Sequence, residues 1–379
     1  MKRSKAIICA VLAVIMLFAL CACGASNTPA NDTPSNSTPA NNTPSSNTTP
    51  AKDDSKKEDK PAQEEKKETY VFSMASSEFE GSTWNQMVEV PLMELMTEKT
   101  NGRVTWDFYP SGTLSKQGEC FEAILNGAAD VGYDACNFYV DTFPYIEFFT
   151  MMGWNISEDF TERENLAIDF TETFRDAYLY DNFKLLARVS LETFGFMSSV
   201  PIRTAADVKN VPCRSLGFTM DWLNNLGANC TTMPAVEVYE SLKLNVIDAS
   251  VSAIGALTAY KLYEVCDYFT AIPRASGESV YVMSKKMYDS MDAEIQAAVD
   301  DTFADMKQKC IDFVITNEGK VRDEVLAGNP NFEFINPTPE QIAEFFDGCD
   351  ELIQARVKEL DAKGLDGTGA YEWMIAHTS

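Results

Sequence analysis

The sequence predicts an α/β fold with two similar lobes, a ligand cleft between them and long C-terminal helices that brace both. The main indication is a segment that occurs twice. Phe121–Asp130 and Tyr239–Asp248 each combine the end of an amphipathic helix, a residue that tolerates the left-handed conformation and a turn into a short apolar strand. Strand and helix patterns alternate around both copies. Because ligands bind at the carboxyl ends of parallel strands, two facing lobes would enclose a binding cleft.

Residues 1–22 are predicted to be a lipoprotein signal peptide. A basic start precedes an apolar run that ends at Leu20 and is too short for a comfortable membrane span. The following Cys21-Ala22-Cys23 completes a motif that resembles the lipobox of bacterial lipoproteins, with Cys23 as the lipidated residue. Cys21 fits less well, because bulky Leu20 would then occupy the cleavage position. An ordinary secretory signal is the alternative.

Residues 23–68 are predicted to be a disordered tether. The stretch to Pro50 consists mainly of Asn, Thr, Pro and Ser, and a run of mixed charges follows from Lys52 to Lys67. Such a segment lacks the apolar surface that would offset its ordering entropy. The remaining residues, 69–379, are expected to form the two-lobed domain.

Charge and cysteine content exclude several kinds of function. The net charge of −26 argues against nucleic acid as a partner. An odd number of cysteines follows Cys23, without a CxxC or Cys/His pattern, so neither a metal site nor a cofactor is expected. Whether any of them pair is left open. These cysteines are Cys120, Cys136, Cys213, Cys230, Cys266, Cys310 and Cys349.

The first lobe, about 69–190, is predicted from an alternation of strands and helices. A helix to about Lys99 contains Pro91, where a kink or restart is expected. A later helix, from about Thr161 to Asp181, closes the lobe. The predicted strands of this half are Tyr70–Met74, Arg103–Tyr109 and Val131–Tyr133.

The second lobe, about 205–280, is predicted from the same alternation. Two strand-like runs before it, Lys184–Ser190 and Phe194–Ser199, are expected to connect the lobes. Helical patterns after Asp292 exceed what one small lobe requires and are expected to brace both. The elements predicted here are strands at Val211–Ser215, Asn229–Thr232 and Ser279–Met283, a helix near Thr219–Leu226, and helices to Gly328 and over Pro339–Lys363.

An ordered series of motifs resembles the substrate-binding proteins of tripartite ATP-independent periplasmic (TRAP) transporters over roughly residues 70–360. The first half contributes Thr100–Leu114 and Asn126–Asp130, and the second contributes Pro201–Arg214, Leu226–Ala228, Met233-Pro234, Glu237–Tyr239 and Val246–Asp248. The resemblance implies an extracytoplasmic receptor that captures a small organic acid and delivers it to membrane subunits driven by an ion gradient. It also implies strands that cross between two lobes and a long helix that lies across both.

The resemblance assigns the central role to Arg214, which matches the arginine that pairs with the ligand carboxylate in this family. A guanidinium offers a planar fork that suits two carboxylate oxygens. On an extended strand Arg214 shares a face with Pro212 and Leu216. An exposed arginine at a strand end is the alternative interpretation.

Further candidates lie where the predicted strands meet the cleft. Ser250 and Ser252 follow the second copy of the repeated segment, where relatives present polar ligand contacts. In the first lobe, Ser77, Glu78, Ala135 and Asn137 occupy strand ends. Glu78 would repel a second carboxylate or accept an amine or hydroxyl.

Three aromatic residues, Phe194, Phe196 and Trp222, are expected either to pack against an apolar part of the ligand or to belong to the core. Phe194 lies near where sugar-acid binders of the family carry a second arginine. Its presence argues against an acidic sugar held by two cations.

Two other functions stay open at this point. A secreted hydrolase with paired carboxylates is one, although the sole histidine, His377, lies in a tail expected to be frayed and no Gly-x-Ser-x-Gly or Walker-type loop occurs. A binding lipoprotein of an ATP-driven importer, or a sensor, is the other. A monomer, attached to the membrane through its lipid alone, is expected.

Overall fold

The computed structural model describes residues 67–175, 177–275 and 277–378. The predicted signal peptide and almost all of the predicted tether, including Cys23, lie outside these residues. Two mixed β-sheets organise the described part, and each is flanked by helices. We call each sheet with its helices a lobe.

The first sheet has the strand order β2-β1-β3-β10-β4. The first three of these strands along the chain are parallel, and β10 runs antiparallel to β3 and β4. Its strands are β1 (Tyr70–Ser76), β2 (Val104–Tyr109), β3 (Val131–Ala135), β4 (Phe183–Ser190) and β10 (Glu278–Ser284).

The second sheet has the order β11-β9-β5-β8-β6-β7 and repeats the first arrangement, with β6 parallel to β7 and β8, and β5 antiparallel to β8. Its strands are β5 (Phe194–Ser198), β6 (Pro212–Arg214), β7 (Asn229–Thr231), β8 (Ala249–Ala253), β9 (Tyr268–Ala271) and β11 (Glu333–Ile335).

Thirteen α-helices occur in the described residues. A π-helical turn over Asn85–Glu89 runs directly into α1, with Glu89 and Val90 both in the right-handed helical conformation. The helix therefore continues through Pro91 without a restart, and the irregularity next to the proline is the π-helical turn. The helices are α1 (Val90–Lys99), α2 (Cys120–Leu125), α3 (Pro144–Phe149), α4 (Phe160–Thr173), α5 (Ala177–Asn182), α6 (Gly217–Asn225), α7 (Val238–Lys243), α8 (Ala256–Ala259), α9 (Lys285–Ser290), α10 (Ala293–Gly328), α11 (Pro339–Phe345), α12 (Cys349–Ala362) and α13 (Gly367–His377).

The duplicated segment has the predicted structure in both copies. Helix α2 ends before Gly127 and helix α7 before Asn245, and these two residues have positive φ angles of 73° and 55°. The strands that follow, β3 and β8, occupy equivalent positions in their sheets. The two copies therefore place the ends of two equivalent strands at the cleft.

The connection between the lobes differs from the prediction. Strand β4 pairs with β10 in the first sheet, whereas β5 pairs with β8 and β9 in the second. Each predicted connecting strand therefore stays in one lobe. The chain crosses at residues 191–193 and returns between β9 and β10, and β10 belongs to the first sheet rather than to the second lobe.

Helix α10 braces both lobes, as predicted. Its 36 residues span about 54 Å. Ile295, Val299 and Phe303 pack in the core of the first lobe, and Val321 and Val325 pack in the core of the second.

Two details of the C-terminal region correct the sequence prediction. The helix predicted over Pro339–Lys363 breaks into α11 and α12 at Gly348, which has a φ of 78°. The tail expected to be frayed is helix α13, whose Met374 is fully buried against aromatic residues of α3 and α4. The ring of His377 stacks on Trp373, with centroids 3.9 Å apart.

Candidate functional site

A cavity of about 140 Å³ lies between the two sheets, and we call it the cleft. Its volume is close to that of an engineered cavity that holds a single benzene ring. The lining comes from three sources: the ends of strands in the first lobe, the ends of strands in the second lobe, and helix α10 with the crossing segment at 191–193. The duplicated topology brings polar side chains from the strand ends of both lobes together at the cleft.

Arg214 is the cation of the cleft. It ends β6, where it pairs in register with Thr231 and Ser250. Its side chain is held by Nε and Nη2, which donate to the carbonyl oxygen of Met233 at 3.1 and 3.0 Å. Its Nη1 donates to no described residue, and Arg214 is part of the lining of the cleft.

The charge of Arg214 is not neutralised by the described residues. The residue is 4% exposed, and no described carboxylate lies within 4.0 Å of it. Burial lowers its pKa to about 10, so the guanidinium stays charged at neutral pH. A buried cation without an anionic partner is costly, and a bound anion would remove that cost.

Glu78 is the acid that the first lobe contributes, two residues beyond the end of β1. Burial, and after it the neighbouring Glu89, Glu192 and Asp134, raise its pKa to about 8. The carboxyl is thus mostly protonated at neutral pH. Its oxygens accept no hydrogen bond from a described residue.

The structure brings seven of the ten predicted ligand residues to the cleft. They share a position at or just beyond the end of a strand, on the side that faces the other lobe. These residues are Ser77, Glu78, Ala135, Asn137, Phe194, Arg214 and Ser252.

Phe196 and Trp222 are core residues, which settles the alternative that the sequence left open. The two rings lie 5.7 Å apart, Phe196 also packs against Phe345, and Trp222 Nε1 donates to the Phe345 carbonyl at 2.6 Å. Phe194 and Phe196 share a face of β5, but Phe194 begins the strand at the cleft edge, whereas helices α6 and α11 cover Phe196. Phe194 remains the aromatic candidate.

Ser250 was predicted to contact the ligand directly, but it does not line the cleft. It is 1% exposed and lies one step deeper along β8 than Ser252, which lines the cleft. Its place beside Arg214 in the sheet makes it a neighbour of the site rather than part of its surface.

Sequence reasoning missed several residues that line the cleft. Glu192 lies in the crossing segment, and Asn317 of α10 donates to it at 3.0 Å. Tyr260 follows α8, and Gln117 precedes α2. Tyr260, Gln117 and Asn317 do not follow a predicted strand. Glu192 follows a strand that was expected to connect the lobes rather than to end at the cleft. The others are Ser82, Thr83, Trp84, Tyr133, Leu191, Ser215, Leu216, Thr219, Ala235, Val251, Ala253, Gly255, Ala256, Thr258, Ala259, Ser279 and Phe313.

The lobes touch across the mouth of the cleft. The rings of Phe79 and Tyr260 are 5.2 Å apart in an edge-on arrangement. Ala235 N in the second lobe donates to Gln117 Oε1 in the first at 3.1 Å. These two contacts hold the arrangement in which both lobes can reach one small molecule.

Other kinds of site find no support in the described residues. In that part of the chain, no three His, Cys, Asp or Glu side chains are grouped so that they could hold a metal ion. All seven cysteines after Cys23 are free thiols. No described helix is both long and apolar enough to cross a membrane.

Comparison with known proteins gives a consistent result. A family model described as bacterial extracellular solute-binding protein, family 7, matches residues 74–359. The ectoine/5-hydroxyectoine-binding periplasmic protein of Ruegeria pomeroyi is 23% identical over 270 residues, which are 69% of this chain and 76% of that protein.

Two solved structures share the fold. A TRAP solute-binding protein from Rhodoferax ferrireducens, in complex with copurified benzoate, superposes with a TM-score of 0.74 at 17% identity, over 82% of this chain and 98% of that one. A marine metagenome TRAP solute-binding protein specific for pyroglutamate gives 0.73 at 16% identity, over 82% and 99%. The predicted two-lobed α/β fold is thereby confirmed.

Proposed function

Because this chain belongs to family 7 of the bacterial extracellular solute-binding proteins, we propose that it captures a small cyclic monocarboxylate and delivers it to a TRAP transporter. The family predicted from the sequence motifs is confirmed. Its members are extracytoplasmic receptors for small organic acids, not enzymes, so the hydrolase alternative is set aside. The choice of ligand and the delivery step are the proposal.

The observation that carries the proposal is the buried, charged and unneutralised Arg214 in the cleft. Its two bonds to Met233 orient the guanidinium without neutralising it. A carboxylate that reaches the outer edge of the fork would gain charge-assisted hydrogen bonds in a site shielded from water. Because Arg214 is the one cationic side chain among the described residues of the lining, we expect a ligand with one carboxylate.

The size and walls of the cleft support a ring as the body of the ligand. Phe194, Leu216, Val251 and Ala253 are apolar residues of the same lining as Arg214. The similar structures hold benzoate and pyroglutamate, which are compact rings with a single carboxylate. A flat or slightly puckered ring would bury apolar surface against these residues.

A thermal-shift screen against cyclic carboxylates tests the proposal, because a ligand at about 100 times its dissociation constant stabilises the native state by about 2.7 kcal/mol. Calorimetry of the best compound would then compare wild type with Arg214→Ala. We expect binding to weaken by on the order of a hundredfold or more, as for a buried charge pair that loses one partner.

Arg203→Ala is the matched control. Arg203 lies in the same lobe but is half exposed and pairs with Glu333 outside the cleft. Its removal should leave binding unchanged. Wild-type affinity in Arg214→Ala would contradict the proposed role.

We also propose that the receptor is a monomer anchored outside the cytoplasmic membrane through a lipid on Cys23, which lies outside the described residues. The lipobox-like Leu20-Cys21-Ala22-Cys23 supports this. Cys23→Ala should block lipidation and release the protein, whereas Cys21→Ala should not. Mass spectrometry that finds an unmodified N-terminus in the wild type would contradict the anchor.

Delivery to a TRAP transporter can be separated from delivery to an ATP-driven importer. In proteoliposomes that contain the TRAP membrane subunits, uptake of the identified acid should require both this receptor and an ion gradient. Uptake that follows ATP instead, with importer subunits, would contradict the TRAP assignment.

A further inference from the structure

Two acids line the cleft, and the described residues leave both with unused capacity to accept hydrogen bonds. The carboxyl group of Glu78 in the first lobe accepts none from another described residue, and its backbone carbonyl is bound by Ser111 N. Glu192, in the crossing segment and 8% exposed, is held by the single bond from Asn317. Glu78 and Glu192 are the acidic side chains among the described residues that line the cleft, and Arg214 is the cationic one.

Two other buried acids nearby are fully engaged and explain why Glu78 and Glu192 stand out. Asp134 accepts hydrogen bonds from Gly118 N, Ala135 N and Tyr139 Oη at 2.7 to 2.9 Å. Glu89 accepts from Ser76 Oγ at 2.6 Å and Asn85 Nδ2 at 3.1 Å. These two hold the fold, whereas Glu78 and Glu192 face the space where a ligand would lie.

The acids and the cation belong to different walls of the cleft. Glu78 follows β1 of the first lobe, Arg214 ends the equivalent strand β6 of the second, and Glu192 lies between the lobes. The phenol of Tyr260 interacts electrostatically with both Glu78 and Arg214. Burial raises its pKa, Glu78 raises it as well and Arg214 lowers it. A ligand held by Arg214 would thus present its other end to Glu78 and Glu192.

We infer that the ligand carries a cationic nitrogen, an ammonium or amidinium, in addition to its carboxylate, and that Glu78 and Glu192 recognise this nitrogen. The inference rests on the proposed function, since Arg214 must hold the carboxylate. A buried acid gains most from a donor that is itself charged. A ligand without a donor would leave the Glu78 carboxyl unpaired and Glu192 with only its bond from Asn317 in a closed site, which penalises binding.

Binding of such a ligand releases a proton. The titratable groups that face Glu78 are Glu89, Glu192, Asp134, Tyr133 and Tyr260, and no described cation of the lining lies among them. Burial and these acidic neighbours raise the pKa of Glu78 and keep it largely protonated near pH 7 while no cationic ligand is bound. A cationic nitrogen reverses that balance, so the proton leaves to the buffer as the ion pair forms.

The probes are ring acids matched in shape. Proline, pyroglutamate and cyclopentanecarboxylate share a five-membered ring and present, respectively, a cationic nitrogen, a neutral donor and neither. Pipecolate and cyclohexanecarboxylate extend the comparison to six-membered rings, and 3-(aminomethyl)benzoate and benzoate extend it to an aromatic ring. Each is titrated calorimetrically at pH 7 in phosphate and in Tris, whose ionisation enthalpies differ.

In at least one series we expect the cationic member to bind at least tenfold more tightly than the plain acid and to release up to about one proton. Glu78→Gln and Glu192→Gln should each remove most of this preference. Glu80→Gln is the matched control, because Glu80 is exposed in the same loop as Glu78. Unchanged thermal midpoints of the variants without ligand would show that they are folded.

Three results would overturn the inference: plain acids that bind as tightly as their cationic partners, cationic members that release no proton, or no cationic member that binds. Arg214→Ala separates this failure from that of the proposed function. If Arg214→Ala abolishes binding of a plain acid that is indifferent to Glu78→Gln, the carboxylate receptor stands and the cationic nitrogen does not. If no acid depends on Arg214, the proposed function itself fails.

Discussion

The phenol ring of Tyr260 packs edge-on against the ring of Phe79, 5.2 Å between centroids, and this contact joins the second lobe to the first over the cleft. Tyr260 also lines the cavity. One side chain therefore contributes both to the wall of the site and to the contact between the lobes. We therefore predict that ligand binding and lobe closure are coupled through it, because a ligand that touches Tyr260 would favour the closed arrangement.

Phe79→Ala removes this aromatic contact, which is worth about 0.5–1.5 kcal/mol beyond buried area. We expect the ligand to dissociate about 2 to 12 times faster, with a smaller change in the association rate. Stopped-flow fluorescence or surface plasmon resonance with an identified ligand would measure this. Tyr109→Ala, at an exposed ring of the same lobe, is the control. An unchanged dissociation rate would show that the contact does not hold the lobes together.

Arg214→Lys tests the geometry of the guanidinium rather than its charge. Nε and Nη2 of Arg214 both bind the carbonyl of Met233, so one side of the fork orients the group while the other faces the cleft. A lysine ammonium cannot do both. Affinity for the identified acid should fall at least tenfold yet stay above that of Arg214→Ala. Equal affinities of the two variants would mean that charge alone contributes nothing.

Glu89→Gln should stabilise the protein in a pH-dependent way. Burial raises the pKa of Glu89 to about 7, above its usual value of 4.5, so between these pH values the native state binds a proton that the unfolded state has lost. The wild type thus loses stability from this group as pH rises from about 4.5 to 7, and no more above that. Glutamine cannot ionise and so avoids the loss, while its Oε1 can accept from Asn85 Nδ2 and its Nε2 can donate to the Ser76 hydroxyl.

The stability difference between Glu89→Gln and wild type should therefore grow from pH 5 to 7 and then level off, at no more than on the order of 3 kcal/mol. Urea unfolding at several pH values measures it. Glu94→Gln, at an exposed acid on the following helix, should show no such trend. A constant difference across the range would contradict an elevated pKa of Glu89.

The free thiols should react slowly in the native state. Six of the seven cysteines after Cys23 are buried, and the half-buried Cys230 has its pKa raised to about 11, mainly by burial. Since the thiolate is the reactive form, both effects slow the reaction. In a chain that lacks residues 1–66, the reagent 4,4′-dithiodipyridine should detect the full seven thiols only after the protein unfolds. Cys230→Ser should remove the fastest native phase; rapid reaction of several thiols without unfolding would contradict this packing.

Much of the fold follows from local sequence patterns. The two copies of the repeated segment each end a helix at a residue that adopts positive φ, Gly127 or Asn245, because Gly and Asn tolerate that conformation. Local backbone preferences of Gly and Asn therefore suffice to predict the two equivalent helix ends and the strands that follow them. The path between the lobes was less predictable, because β4 and β5 have similar patterns and only their partners assign them to different sheets.

For the candidate site, the ends of predicted strands in the sequence pointed to Glu78, because side-chain alternation and strand polarity are local properties, whereas Arg214 was predicted from the family resemblance. Only the tertiary structure decided that Phe194 reaches the cleft while Phe196, on the same face of the same strand, is buried beneath α6 and α11. It alone also brought in Glu192 and Asn317, which lie in the crossing segment and the long helix. Their meeting depends on how distant elements pack against one another, which no spacing along the chain encodes.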